Sequence, residues 1–147
     1  QETAEIAPIT ADQVRQLAAN KTDKYRLINV WATWCGPCRE EFPEFVTMHR
    51  MYRKRDFEMI TISADQPEQQ AQALAFLNEQ HASGKNYLFR GENEYKLAEA
   101  LDAEWQGALP YTLLVAPGGK VLYRKQDLID PLEVRRIIAD NLGRVYP

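Results

Sequence analysis

The amino-acid sequence predicts an α/β sandwich, a mixed β-sheet flanked by helices, in the order β-α-β-α-β-α-β-β-α after an N-terminal helix. Three observations predict it. Arg26–Trp31 is a near-continuous apolar run, as expected of a strand covered on both faces. Phe57–Ser63 alternates apolar and β-branched residues, and the stretch between these two runs carries apolar residues at helical spacing. Tyr111–Val115 and Lys120–Arg124 are separated by Ala116-Pro117-Gly118-Gly119, a hairpin signal.

The elements follow in chain order. Residues 1–9 read as a loose leader or linker ahead of one domain at 10–147, and a first residue of Gln1 rather than Met reads as a processed or shortened chain. Thr10 or Asp12 caps a short helix to about Ala19, with Val14, Leu17 and Ala18 inward. After the Arg26–Trp31 strand, a helix is expected from about Pro37 to Lys54, with Phe42, Phe45, Val46 and Met48 or His49 inward. Pro43 should kink it, because proline removes a helix hydrogen bond and crowds the preceding turn. Arg50, Arg53, Lys54 and Arg55 at its end suit the helix dipole.

Asp65-Gln66-Pro67-Glu68 opens the next helix, with Ala71, Leu74, Leu77 and His81 on its inner face. Ser83-Gly84-Lys85 ends it. Asn86–Arg90 is a short strand and Glu94–Leu101 a short helix with Leu97, Ala98 and Leu101 inward. Asp130-Pro131 opens a last helix to about Asn141, with Leu132, Val134 or Arg135, Ile137, Ile138 and Leu142 inward and Gly143 as its stop.

At 147 residues the chain is long enough for one domain with a substantial core, and 45% hydrophobic with 27% charged residues is an ordinary globular composition. A net charge of −3 argues against nucleic acid as a partner. No apolar run approaches the roughly 18 residues of a membrane span. Both cysteines lie in Cys35-Gly36-Pro37-Cys38. No second cysteine pair completes a zinc set, His49 and His81 are scattered, and Arg39 after Cys38 breaks the haem-attachment pattern, so neither metal nor cofactor is expected. A disulfide over so short a loop stabilises little, which disfavours a purely structural role.

A strand that delivers Cys-x-x-Cys to the start of a helix is suited to dithiol chemistry. The helix N-terminus carries free N–H groups and about half a positive charge, which favour the nucleophilic thiolate. Pro37 fits the first turn, where its missing N–H is not needed.

Trp31-Ala32-Thr33-Trp34-Cys35-Gly36-Pro37-Cys38 resembles the active-site motif of the thioredoxin superfamily, and Arg39-Glu40-Glu41-Phe42-Pro43 narrows the resemblance to the TlpA/ResA-like extracytoplasmic thiol-disulfide oxidoreductases. The resemblance implies a thioredoxin-like three-layer sandwich. It also implies that the helix-strand-helix segment at about 67–101 is an insertion typical of that branch. It implies that Cys35 attacks a substrate disulfide, that Cys38 resolves the mixed disulfide, and that the two form a redox-active Cys35–Cys38 disulfide. Cys35 should be the more exposed of the pair.

Pro110 matches the cis-proline that faces the cysteines in this superfamily. Leu109 before it then offers backbone groups to an extended substrate, beside Trp34, Gly36 and Pro37. Trp31 is expected to be buried support, while Trp105 either lines the groove or anchors the inserted segment. Asn29 stands where thioredoxin keeps a buried aspartate and cannot ionise. Glu41 matches the acidic residue that ResA-like proteins keep three positions after the second cysteine. Two readings of Glu41 stand side by side: proton transfer for the dithiol, or a solvated first-turn glutamate. Glu40 reads as surface.

Gly36-Pro37 is the dipeptide of thioredoxin, a reductant near about −270 mV, and Glu40 and Glu41 oppose a nearby thiolate, so the resemblance points to reduction. The implied partners are a protein disulfide and, for an extracytoplasmic reductant, a membrane electron-donor protein. The other functions considered are an isomerase or oxidase of the same fold, a binding module without turnover, and a peroxidase. The last expects Thr-x-x-Cys, whereas Thr33 lies two residues before Cys35.

Overall fold

A computed structural model gives the fold and describes residues 2–91 and 93–143. The elements are β1 (Ala7–Ile9), α1 (Ala11–Ala19), β2 (Tyr25–Trp31), α2 (Gly36–Tyr52), β3 (Phe57–Ser63), α3 (Gln70–Glu79), β4 (Lys85–Phe89), α4 (Glu94–Leu101), β5 (Tyr111–Val115), β6 (Val121–Gln126) and α5 (Pro131–Leu142). Among the described residues the strands form one six-stranded sheet in the order β1-β4-β3-β2-β5-β6. β1, β4, β3 and β2 run parallel; β5 is antiparallel to β2, and β6 to β5. The expected α/β sandwich is the observed one.

The side-chain alternation of β2 divides the core. Ile28 and Val30 face one layer, packing with Val14 of α1 and Leu97, Ala98 and Leu101 of α4. Leu27 and Trp31 face the other, where α2, α3 and α5 supply Phe42, Phe45, Phe76, Leu77, Val134 and Ile138. Trp31, Phe42 and Phe76 form a triangle of rings with centroids 5.2–5.3 Å apart in the cluster that includes both cysteines. Each such contact adds roughly 0.5–1.5 kcal/mol beyond burial, which stiffens the ground on which the redox helix stands.

Helix ends follow their chemistry. Thr10 caps α1 in a full capping box with Gln13. Asp130 caps α5 by accepting from Leu132 and Glu133 N–H, with Pro131 in its first turn. α2 runs unbroken through Pro43, and Thr47 Oγ1 donates to the Pro43 carbonyl.

Several expectations are corrected. Residues 1–9 are not a loose leader over their described part: Ala7–Ile9 pair with Tyr87–Phe89, and Ala4 N–H donates to Asn78. Glu2 binds Ser83, Arg50 and Arg53, so these two arginines hold the N-terminal segment as well as sitting at a helix end. The Ser83 hydrogen bond, helped by the two arginines and opposed by desolvation, holds the Glu2 carboxyl down at about 2.

Of the inward face that its spacing suggested, α3 buries Leu77 and half-buries Leu74. Ala71 is exposed, and Ala73 and Phe76 join Leu77 in the core; Pro67–Gln69 wind as a separate 3-10 turn, so α3 begins only at Gln70. His81 lies beyond the helix in a left-handed turn, half-buried. Leu132 is 68% exposed because it sits about half a turn from the inward-facing Val134.

Candidate active site

β2 ends at Trp31, and the chain turns through Ala32, Thr33 and Trp34 before α2 begins. Cys35 N–H donates to the Ala32 carbonyl (3.1 Å), which closes the turn and sets Cys35 as the N-cap of α2. Its sulfur accepts from Cys38 N–H at 3.3 Å. Cys35 and Cys38 form a disulfide with Cα atoms 5.3 Å apart. Cys35 is 6% and Cys38 1% exposed, so the order of exposure is as expected although both are buried. Gly36 and Pro37 are exposed beside them, and Trp34 is 62% exposed, a free wall at the site.

The Leu109–Pro110 peptide bond is cis. Leu109 packs against the cluster that contains both cysteines. The segment leading into it is braced from behind. Trp105 Nε1 donates to the Ala108 carbonyl, and the Trp105 ring stacks on Tyr111 with centroids 4.7 Å apart. The Tyr111 hydroxyl donates to Asp102, which also accepts from Arg124 Nε at 2.8 Å. Burial and the adjoining Asp102 carboxylate push the Tyr111 hydroxyl well above the ordinary tyrosine range, so it stays a donor at neutral pH. Trp105 therefore anchors the segment at the end of α4, and no sequence pattern announces the Asp102–Tyr111–Arg124 group.

Glu41 is not a solvated glutamate. It is 7% exposed, its Oε1 accepts from Ile129 N–H at 3.0 Å, and its Oε2 is buried without a hydrogen-bond partner. Burial lifts its carboxyl from 4.5 to about 7; the Ile129 bond opposes that rise and the nearby Asp127 adds to it. Lying three residues past Cys38 on α2, it shares that helix face. Asn29 is buried and joins β2 to β5 through Tyr111 O and Thr112 Oγ1, while its Oδ1 has no partner. The β6–α5 loop connects the two sides, because Asp127 N–H donates to the Pro110 carbonyl and Ile129 N–H to Glu41.

One contributor stands in the sequence as a helix-opening residue. Asp65, just past the carboxyl end of β3, accepts from Thr33 N–H and Thr33 Oγ1. The signal was available: in parallel sheets, functional groups collect beyond the carboxyl ends of the strands. Arg39 holds the same loop from the other side, with Nη1 3.4 Å from the Thr33 carbonyl and its guanidinium 4.7 Å from the Phe76 ring centroid.

This arrangement suits thiol-disulfide exchange: a cysteine at a helix N-terminus, a second within bonding distance, and an exposed aromatic wall. Comparison with known families agrees. The AhpC/TSA family matches residues 5–124, most of the chain and both cysteines. The chain belongs to the AhpC/TSA family.

The thiol-disulfide oxidoreductase ResA of Bacillus subtilis is 26% identical over 95 residues, covering 65% of this chain and 49% of ResA. ResA of Geobacillus thermodenitrificans is 27% identical over 120 residues, 82% of this chain and 62% of that protein. The chain thus spans about half the length of the curated relatives it matches. The thioredoxin domain of a thiol-disulfide oxidoreductase from Bacteroides vulgatus superposes with a TM-score of 0.67 over 82% of this chain and 81% of that one, at 18% identity. That likeness shows the thioredoxin-like fold.

Proposed function

We propose that this chain is a thiol-disulfide oxidoreductase that reduces protein disulfides outside the cytoplasm. The observation that carries the reading is the Cys35–Cys38 disulfide at the N-terminus of α2, beside the Leu109–Pro110 edge and the exposed Trp34. In the reduced protein, the Cys35 thiolate attacks one sulfur of a substrate disulfide. A mixed disulfide forms and one substrate thiolate leaves. Cys38 then gives up its proton, attacks Cys35 and releases the second substrate thiolate. Two electrons pass to the substrate and the internal disulfide forms. A membrane electron-donor protein would return the two electrons.

Glu41, with its carboxyl near 7, is suited to take the Cys38 proton and to return it. Leu109 offers backbone groups to an extended substrate strand, with Trp34, Gly36 and Pro37 opposite. The ResA relatives, named thiol-disulfide oxidoreductases, support the disulfide chemistry; the extracytoplasmic setting rests on the resemblance of the Trp31–Pro43 motif. No helix among the described residues is long and apolar enough to cross a membrane.

Peroxide reduction is disfavoured by the site: Thr33 lies two residues before Cys35, and its hydroxyl donates to Asp65 at 2.6 Å. The deciding assay is reduction of insulin with dithiothreitol as electron source. Wild type should accelerate it and Cys35→Ser should not. Peroxide consumption without insulin reduction would replace this reading with the peroxidase one. Equilibration with glutathione should give a potential nearer about −270 mV than about −120 mV; a value above about −180 mV would turn the assignment towards isomerisation or oxidation.

A further inference from the structure

The turn that carries Trp34 and Cys35 is closed by one backbone hydrogen bond, from Cys35 N–H to the Ala32 carbonyl, and one residue in it is fixed on every polar atom. Thr33 N–H donates to both carboxylate oxygens of Asp65 at 3.1 Å, and Thr33 Oγ1 donates to Asp65 Oδ1 at 2.6 Å. The Thr33 carbonyl faces Arg39. Asp65 itself is 3% exposed and is locked by Ser63 Oγ, which donates to its Oδ2 at 2.6 Å and accepts from its backbone N–H at 3.0 Å. Next to this group Ala64 N–H donates to the Trp31 carbonyl, extending the β2–β3 pairing to the edge of the loop.

Burying a carboxyl group costs stability unless its lone pairs are filled. Here they are filled from the redox loop and from the end of β3. Only a carboxylate supplies two acceptor-only oxygens. An asparagine would turn an NH2 group towards at least one of the Thr33 donors.

We infer that Asp65 is a positioning residue: by clamping Thr33 it fixes Trp34 and Cys35 against the Leu109 edge in the orientation a protein disulfide needs. The inference rests on the proposed disulfide reductase reading. In-line attack on a disulfide held along a groove is sensitive to misplacement of about 1 Å, which can cost about 10²-fold. A small soluble disulfide orients itself and escapes that penalty. A carboxyl group that served only the stability of the fold would leave the preference between the two kinds of disulfide unchanged.

The test measures rates of the reduced protein with insulin and with Ellman's reagent, a small aromatic disulfide, alongside thermal unfolding. Asp65→Asn should slow insulin reduction about tenfold or more while staying within about twofold on Ellman's reagent. Thr33→Val, which removes only the hydroxyl donor, should move the ratio in the same direction by a smaller factor. Thr33→Ser keeps both donors and should restore wild-type selectivity. If Asp65→Asn does not fold, the Thr33→Val ratio decides. An unchanged ratio in folded variants, or an equal loss on both disulfides, overturns the assignment while leaving the reductase reading intact. A wild type that reduces Ellman's reagent but not insulin removes both.

Discussion

Cys38→Ser is expected to accumulate as mixed disulfides through Cys35 and to lose turnover by several orders of magnitude. The second step of exchange depends on a thiol already in place. In the oxidised protein the two Cα atoms are 5.3 Å apart, and Cys38 is 1% exposed, held inside the first turn of α2. Well-oriented intramolecular reactions have effective molarities of about 10⁵–10⁸ M, whereas an external thiol is present at about 10⁻³ M. Removing Cys38 therefore leaves a captured substrate that only slow external attack can release. Cys35→Ser should capture little, since its remaining thiol lies deeper. Mass spectrometry of the trapped species reads the attachment site, and iodoacetamide labelling of reduced wild type should modify Cys35 before Cys38. Equal labelling, or equal capture by both variants, would count against the two roles.

Glu41→Gln is expected to leave stability unchanged in acid and to raise it above neutral pH. In the folded oxidised protein burial raises the Glu41 carboxyl to about 7 from 4.5. Its folded value therefore lies above its unfolded one. The protonated group carries its stabilising difference fully below about pH 4.5, and that difference is lost as pH rises through about 7. The loss at pH 8 relative to pH 4 is about 3 kcal/mol, at about 1.4 kcal/mol per tenfold change. Glutamine has no charged form to penalise, so the oxidised variant should match wild type at pH 4 and exceed it at pH 8 in urea unfolding.

The same substitution should lower the apparent pKa of Cys35 in a thiolate-absorbance titration and make the disulfide somewhat more oxidising, because a nearby negative charge is gone. It should also slow protein-disulfide reduction. The dithiol and Glu41 should titrate as a coupled set, so the wild-type curve reports the group rather than a single residue. If stability, titration and rate are all unchanged, Glu41 has no part in the proton economy.

The strands and the redox motif were legible because their signals are local. Arg26–Trp31 and Phe57–Ser63 fall within one residue of β2 and β3, and Cys35 lies at the helix start that its motif implied. What the sequence hid depends on contacts far along the chain. Whether Glu41 is solvated is decided by Ile129, whose backbone arrives only when α5 docks. The clamp on Thr33 needs β3 beside β2, and the brace on Tyr111 needs Asp102 and Arg124 from two other elements. The inward face of α3 is only partly legible because Ala71, Ala73, Leu74, Phe76 and Leu77 spread apolar surface around much of the helix, and the rings of Trp31 and Phe42 from other elements decide that Phe76 is covered.

The strand Ala7–Ile9 has a consequence for association between molecules. Without it the sheet would end on Lys85–Phe89, leaving a row of unpaired backbone N–H and C=O groups next to Leu88 and Phe89, an edge on which a strand from another copy can template. β1 covers that row and blunts its own outer side. Ile9 turns its carbonyl towards β4 by accepting from Arg90 N–H, so in a parallel pair the intervening Pro8 turns outward, where it has no N–H to offer. At the opposite edge, β6 ends in the exposed Arg124, Lys125 and Gln126. Residues 2–9, anchored by Glu2 on Ser83, Arg50 and Arg53, thus act as a seal against aggregation, and the protein's solubility at high concentration should depend on a segment remote from its cysteines.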